Sequence, residues 1–207
     1  MIAAGGIEEL LFHITSALRV PVLIAALAAL LFTLYDLGTF FFELSRRRGI
    51  PPRQLKAASQ TARDALAAGD AQAAARALLP RATSAQMADA LTQLVEQQGD
   101  EASDNMAKIL ADFDLESLHR LERSRMMVRF GPALGLMGTL IPLSPALEGL
   151  AKGNVKLLSD NLRVAFSVTV LGLLIGAIAF AVSLVRDRLY AQDLSDLEYV
   201  ATALERE

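Results

Sequence analysis

The sequence of 207 residues contains no cysteine and no tryptophan. Without cysteine, the chain can form neither a disulfide framework nor a thiolate metal site. Aromatic residues make up only 6% of the chain and the net charge is −3, so neither base stacking nor attraction to phosphates favours a nucleic-acid partner. The N-terminus also lacks the basic start of a cleaved signal peptide, because Glu8 and Glu9 occupy that region. We therefore expect the signal for membrane targeting to lie in apolar segments further along the chain.

Apolar residues make up 53% of the sequence and are concentrated in long runs. These runs cover residues 18–42, 129–150 and 162–186. A helix of about 20 apolar residues crosses a hydrocarbon layer about 30 Å thick. The sequence therefore predicts an all-α membrane protein with three transmembrane helices. A helical domain at residues 43–128 would join the first span to the second, and a short outer loop at residues 151–161 would join the second to the third.

Two amphipathic segments flank the spans. Residues 1–17 carry apolar side chains on one helical face, which predicts a short interfacial helix outside the membrane. Residues 187–207 continue the third span as a tail helix. The apolar face of this tail could pack against the helix at residues 101–125 of the same chain, or against neighbouring subunits. That face consists of Leu194, Leu197, Val200 and Leu204.

Clusters of arginine predict the orientation of the spans. Arginine and lysine are enriched in the cytoplasmic loops next to transmembrane helices. With three spans, all the clusters fall on one side of the membrane, which predicts an N-out, C-in topology with a cytoplasmic domain at residues 43–128. The clusters are Arg46, Arg47 and Arg48 after the first span, Arg120, Arg123, Arg125 and Arg129 before the second, and Arg186 and Arg188 after the third.

The predicted cytoplasmic domain is divided by helix-terminating residues. The pairs Gly69-Asp70 and Gly99-Asp100 each predict a glycine just past one helix and an aspartate that caps the next. Helices are expected at about residues 51–68, 70–79 and 84–98, the last capped by Thr83 or Ser84, and a long helix begins near residue 101. The domain contains no nucleotide-binding loop, metal-spaced cluster or nucleophile motif. We therefore predict a scaffold without catalytic residues, metal or cofactor.

The second and third spans each carry a stripe of small residues on one helical face. Spacings of three and four residues align such positions. Two GxxxG patterns lie within the stripes, and small residues let helix backbones approach closely in lipid. The stripes therefore either serve only to pack the two helices together or also shape a functional cavity. Their members are Gly131, Gly135, Gly138, Pro142 and Pro145 in the second span, and Ala165, Thr169, Gly172, Gly176 and Ala179 in the third.

Polar side chains within the spans are the candidate functional residues. Thr139 and Thr169 lie on or beside the small stripes, where their hydroxyls could bond back to their own helices or line an ion path. Asp36 lies in the first span, where a carboxylate costs about 2.5–3.5 kcal/mol at the bilayer centre. It could belong to an ion path or a subunit contact, or could extend towards the interface and pair with an arginine.

The two small stripes resemble the MotA/TolQ/ExbB family of proton-channel subunits, because two motifs of that family occur in the right order on the last two spans. Three spans fit the layout of ExbB and TolQ better than that of the flagellar MotA proteins. The matching positions are Gly131, Pro132, Gly135, Gly138 and Thr139 in the second span, and Ala165, Thr169, Gly172 and Leu173 in the third.

The resemblance implies a homopentamer in the inner membrane that surrounds two copies of a single-span partner similar to ExbD, TolR or MotB. The partner would supply an intramembrane aspartate, and the transported ion would be H⁺ or Na⁺. Thr139 and Thr169 would contribute hydroxyls to the ion path, with Asp36 as a further candidate. The helix-packing positions would be Gly131, Pro132, Gly135, Gly138, Pro142, Ala165, Gly172 and Gly176.

The sequence departs from the family pattern in the last span. ExbB and TolQ carry a glutamate about five residues before the threonine, whereas Val164 and the neighbouring Arg163 occupy that region here. The third span contains no carboxylate, so the acid of a proton relay would have to come largely from another subunit. Three hypotheses follow: an ion-driven stator subunit, a non-conducting assembly scaffold and a membrane enzyme. The enzyme hypothesis has no catalytic constellation in its favour.

Overall fold

The computed structural model describes residues 2–47, 51–97 and 102–205, and this part of the chain contains helices but no strand. The all-α prediction is therefore confirmed. The helices are α1 (Ile2–Ala17), α2 (Arg19–Arg46), α3 (Pro52–Ala67), α4 (Ala71–Leu78), α5 (Ala85–Glu96), α6 (Ala102–Ala151) and α7 (Val155–Glu205), with a 3₁₀ turn at Leu79–Arg81 between α4 and α5.

Within the described residues, three helical segments are long and apolar enough to cross a membrane, as predicted. The first extends over Glu9–Ser45, and the other two are α6 and α7. The boundary between α1 and α2 at Leu18 is slight, because backbone bonds join Leu18 N to Ile14 O at 3.2 Å and Val22 N to Leu18 O at 3.0 Å. The boundary lies next to Pro21, which has no N–H to continue the pattern of bonds. The interfacial position of residues 1–17 stays a prediction.

The chain divides into two compact units. One unit contains Met1–Gly38 and Arg123–Ser183, and the other contains Thr39–Glu122 and Leu184–Glu207. We refer to them as the hairpin unit and the domain unit. Helices α2, α6 and α7 contribute residues to both units.

Glycine and N-cap residues end and begin the helices of the domain unit as the sequence predicts. Gly69 has φ +79°, and the amide of Asp70 reaches the carbonyl of Ala65 at 2.9 Å, which closes the end of α3. The Asp70 carboxylate then accepts the amide of Ala73 at 2.8 Å and caps α4. Ser84, one of the two predicted candidates, caps α5. The pair Gly99-Asp100 lies outside the described residues.

The core of the domain unit joins its short helices to α6 and to the tail. Leu197, Val200 and Ala201 of α7 are buried in the same cluster as Met106 and Phe113 of α6. Of the two predicted packing modes for the tail, the structure therefore contains the one within the same chain. The other buried members of the cluster are Leu55, Ala58, Ala62, Ala74, Leu78, Met87, Ala90, Leu91, Leu94, Val95 and Ile109.

In the hairpin unit, the connection between α6 and α7 is shorter than the loop predicted at residues 151–161. Helix α6 extends to Ala151 and α7 begins at Val155. Gly153 has φ +71°, and the amide of Asn154 bonds the carbonyl of Gly149 at 2.7 Å. The Asn154 side chain accepts the amide of Leu157 at 3.0 Å. One glycine and one asparagine therefore end α6 and cap α7, so residues 155–161 are helical.

Candidate functional site

The small stripes of α6 and α7 face each other in the hairpin unit. A Cβ atom built on Gly131 would lie 2.7 Å from the carbonyl oxygen of Gly172 and 2.8 Å from the amide nitrogen of Gly176. A Cβ atom on Gly172 would lie 2.5 Å from the carbonyl oxygen of Gly131 and 2.7 Å from the Cα atom of Gly135. These neighbours are backbone atoms, so only glycine allows the helices to approach this closely.

Further small residues extend this contact along both helices. A Cβ atom on Gly135 would lie 3.3 Å from the carbonyl oxygen of Thr169, and one on Gly138 would collide with the side chain of Val168. A Cβ atom on Gly176 would lie 2.9 Å from Cδ of Pro132. The remaining predicted packing residues, Pro142 and Ala165, are buried.

Thr169 lies in the middle of this contact. Its half-buried hydroxyl is 3.1 Å from the carbonyl oxygen of Ala165 on its own helix and 3.5 Å from that of Gly135 on α6. The hydroxyl has one proton to donate, so its oxygen retains lone pairs that can accept a proton donor or an ion. Thr169 is therefore placed where a hydroxyl both bonds the backbone and offers an acceptor.

Thr139 occupies a different setting on α6. Its hydroxyl donates to the carbonyl of Leu136 one turn earlier at 2.7 Å, and its side chain is half-buried. Bonding to a residue's own helix is a common way for threonine to satisfy its hydroxyl in a membrane span. As with Thr169, the oxygen keeps its capacity to accept.

Asp36 contacts a residue that the sequence analysis did not single out. The hydroxyl of Ser124, which is fully buried on α6, donates to a carboxylate oxygen of Asp36 at 2.7 Å. The two residues are 88 positions apart in the sequence, and Ser124 lies between two arginines in an arginine-rich segment. Nothing local in the sequence distinguishes Ser124 from other serines. The contact joins the first span to α6 within the hairpin unit.

The polar groups at the helix contacts described above are hydroxyls, backbone carbonyls and, in the first span, the half-buried carboxylate of Asp36. Among the described residues, no group of three or more histidine, cysteine, aspartate or glutamate side chains could hold a metal ion. The hydroxyls can donate or accept hydrogen bonds, and the carboxylate can accept them. Oxygen atoms of these kinds are the ligands that small hard cations prefer.

The outer faces of the long helices are strongly apolar. These side chains are exposed on the isolated chain, so they are available to lipid or to other membrane helices. Large exposed examples are Ile24, Leu27, Leu31 and Tyr35 on α2, Phe130, Leu136, Leu140 and Leu147 on α6, and Phe166, Val170, Leu173 and Phe180 on α7.

Comparison with known families agrees with the geometry of the hairpin. The model of the MotA/TolQ/ExbB proton channel family matches residues 72–198, which is more than half of the chain and includes both small stripes and both threonines. A comparison with curated proteins finds no match. Members of the family are channel and stator proteins rather than enzymes, so the enzyme hypothesis is set aside. The chain therefore belongs to the MotA/TolQ/ExbB proton channel family and is a multi-pass membrane protein.

Proposed function

We propose that this protein is the ring-forming subunit of an ion-driven stator in the inner membrane. Five copies would surround two copies of a single-span partner similar to ExbD, TolR or MotB, and H⁺ or Na⁺ flow would drive mechanical work or transport across the envelope. The observation that carries the proposal is the family match across the α6–α7 hairpin, whose closely packed helices carry Thr139 and Thr169. The arginine clusters support an N-out, C-in orientation with a cytoplasmic domain at residues 43–128.

The distribution of acidic residues supports a separate partner. The third span contains no carboxylate, and the carboxylate of Asp36 in the first span already accepts a hydrogen bond from Ser124. A proton relay needs a titratable group in the membrane. An aspartate on the partner helix would supply that group, and Asp36 would serve as a further polar position along the path.

Thr139 and Thr169 would act as acceptors for the transported ion. Each hydroxyl donates its proton to a backbone carbonyl of its own helix, at 2.7 Å and 3.1 Å respectively. This leaves oxygen lone pairs directed away from the donated bond. A protonated partner aspartate could donate to them, and a sodium ion could bind them.

Substitution of Thr169 by valine tests the proposal. Valine keeps the branched shape of threonine and removes the hydroxyl, so helix packing should persist while the acceptor is lost. The matched control is Ser167→Ala, which removes an exposed hydroxyl that bonds the carbonyl of Arg163 on the same helix. We expect Thr169→Val to abolish ion flux through the complex in proteoliposomes, with its native mass unchanged, and Ser167→Ala to conduct normally. Unchanged flux in Thr169→Val would contradict the role assigned to Thr169.

A non-conducting assembly scaffold is the second candidate function. It is favoured by the absence of an acid in the third span and by Val164 and Arg163 where relatives carry a glutamate. The reconstituted complex distinguishes the two candidates. A complex with the native mass of a ring and its partner but without ion flux under an imposed gradient would support the scaffold, whereas flux would reject it.

A further inference from the structure

A chain of four alternating charges joins the end of α2 to α7 within the domain unit. Arg47 forms an ion pair with Asp193, in which Nη1 donates a hydrogen bond to Oδ1 at 3.1 Å and Nη2 lies 2.8 Å from Oδ2. The same guanidinium contacts Oε1 of Glu43 at 3.0 Å. The other oxygen of Glu43 lies 3.3 Å from Nε of Arg186. The order of charges is therefore positive, negative, positive, negative, from Arg186 to Asp193.

These charged side chains are withdrawn from water. The exposed fraction is 7% for the Arg47 side chain, 2% for Asp193 and 8% for Arg186, while Glu43 retains 23%. Buried charges are costly unless each is paired and hydrogen-bonded. Here the charges balance within the cluster, and aromatic rings cover both guanidinium groups. The ring centroid of Tyr190 lies 5.6 Å from Cζ of Arg47, and that of Phe40 lies 5.8 Å from Cζ of Arg186.

Two hydroxyls also hydrogen-bond to the cluster, in which Nε of Arg47 and Oδ2 of Asp193 are buried without a hydrogen-bond partner. Thr39 is 3.2 Å from Nη2 of Arg186, and Thr83 donates to the Asp193 carboxylate at 2.7 Å. Thr83 immediately precedes Ser84, the N-cap of α5, so the cluster joins the first span, the tail and the short helices of the domain unit. A hydroxyl can donate or accept, so each threonine can serve a partner of either charge.

The contacts show that α2 and α7 run parallel here. Thr39 and Glu43 contact Arg186. Arg47 directly follows the last residue of α2, one turn beyond Glu43, and contacts Asp193, which lies about two turns beyond Arg186 on α7. The charged side chains repeat at intervals that keep them on facing sides of the two helices. Their contacts therefore depend on the axial position of α2 relative to α7.

We propose that the alternating charges of Glu43, Arg47, Arg186 and Asp193 select a single axial register between α2 and α7. Moving α2 by one turn in one direction would place Glu43 opposite Asp193. Moving it by one turn in the other direction would place Arg47 opposite Arg186. Both displacements bring like charges together in a buried site, where their repulsion is screened weakly. The native register alone pairs every charge with its opposite.

Exchange of the two α2 charges tests this inference. The variant Glu43→Arg/Arg47→Glu keeps the amino-acid composition and the ion pair between positions 43 and 47. The native register would now place like charges together at both positions, while a displacement of one turn would pair opposite charges. The further exchange Arg186→Asp/Asp193→Arg, made in the same chain, restores alternation in the native register. Thr39 and Thr83 can accommodate the reversed signs.

The axial register can be measured with a pair of nitroxide labels in the full chain. The protein contains no cysteine, so Ser45→Cys and Thr202→Cys provide unique attachment sites, and both positions are exposed in the domain unit. Arg47 contacts Asp193, and Thr202 lies nine residues beyond Asp193 on α7, which is about 13.5 Å at a rise of 1.5 Å per residue. Axial sliding therefore changes the distance between the two labels. Labelled chains are diluted with unlabelled wild-type chains, and pulsed electron–electron resonance in lipid nanodiscs then reports distances within one chain.

We expect one distance for the labelled protein and a displacement of about one helical turn, about 5.4 Å, in the two-residue exchange. Loss of folded protein in that variant also supports the inference if the four-residue exchange recovers both folding and the original distance. The inference is overturned if the two-residue exchange folds with the original distance, because side-chain packing would then set the register. Failure of the four-residue exchange to restore that distance also overturns it. None of these outcomes depends on whether the complex conducts ions.

Discussion

The closest approach of α6 and α7 makes Gly172→Ala a quantitative test of the hairpin geometry. The added methyl carbon would lie 2.5 Å from the carbonyl oxygen of Gly131, whereas ordinary contact begins at 3.4 Å. The helices must therefore separate by about 0.9 Å at this point. Overpacking of this kind costs about 1–3 kcal/mol, and the higher helix propensity of alanine offsets up to about 1 kcal/mol. With the full offset, we expect a net destabilisation of up to about 2 kcal/mol.

Gly38→Ala provides a control with the opposite expected sign. Gly38 also lies inside a membrane span, but a Cβ atom built there meets no atom within 4 Å. The variant should therefore gain up to about 1 kcal/mol from helix propensity alone. Thermal unfolding in detergent micelles compares the two variants. A melting temperature for Gly172→Ala equal to or above that of Gly38→Ala would refute the packing argument.

Three further predictions concern the domain unit. Leu197→Ala truncates a fully buried side chain of the tail and should lower the free energy of unfolding by about 2–5 kcal/mol, measured by thermal unfolding. Glu198→Ala, on the exposed face of the same helix, should leave the free energy of unfolding almost unchanged. Burial raises the pKa of the Asp193 carboxyl, outweighing the lowering by Thr83 and Arg47, so the folded state binds this proton more tightly than the unfolded state. The stability of wild type relative to Asp193→Asn should therefore fall as pH rises from about 4 towards neutral, and a constant or rising difference would contradict this sign. Arg47→Met should lower the free energy of unfolding by about 3–5 kcal/mol, because it leaves the buried Asp193 carboxylate without its cationic partner. The double variant Arg47→Met/Asp193→Leu should recover most of that loss, and equal losses in the two variants would contradict this expectation.

The parts of the fold that sequence predicts are those governed by local chemistry. Apolar run length predicts the spans, and Gly69-Asp70 and Ser84 predict helix ends because their capping partners lie within a few residues. The connection between α6 and α7 is shorter than the loop predicted at residues 151–161, since Asn154 caps α7 directly after the positive φ of Gly153. The Gly-Asx pattern that marks the boundary between α3 and α4 therefore also marks the boundary between α6 and α7.

The candidate site was predictable only in part. Regular spacing indicates that Gly131 and Gly172 lie on small stripes, but it does not show which backbone atoms meet. The contact between Ser124 and Asp36 joins residues 88 positions apart, and that between Arg47 and Asp193 joins residues 146 apart. A polar side chain in a helix offers no local signal for such a partner. Only the packing of the spans brings these groups together.

Arg47 and Arg186 illustrate why charge near a span is ambiguous in sequence. Both belong to the clusters that predict the orientation of the spans, an argument that treats arginine as a group at the membrane surface. The structure buries both side chains against Glu43 and Asp193, so within the domain unit they act as partners of specific carboxylates. These two uses are compatible, because orientation is decided as the helices insert and burial follows when they pack. Replacing a buried ion pair by apolar residues is often neutral or stabilising, so a cluster of this kind gains little stability for the fold. Its alternating charges can still discriminate between neighbouring registers, which an apolar interface of similar shape would do less sharply.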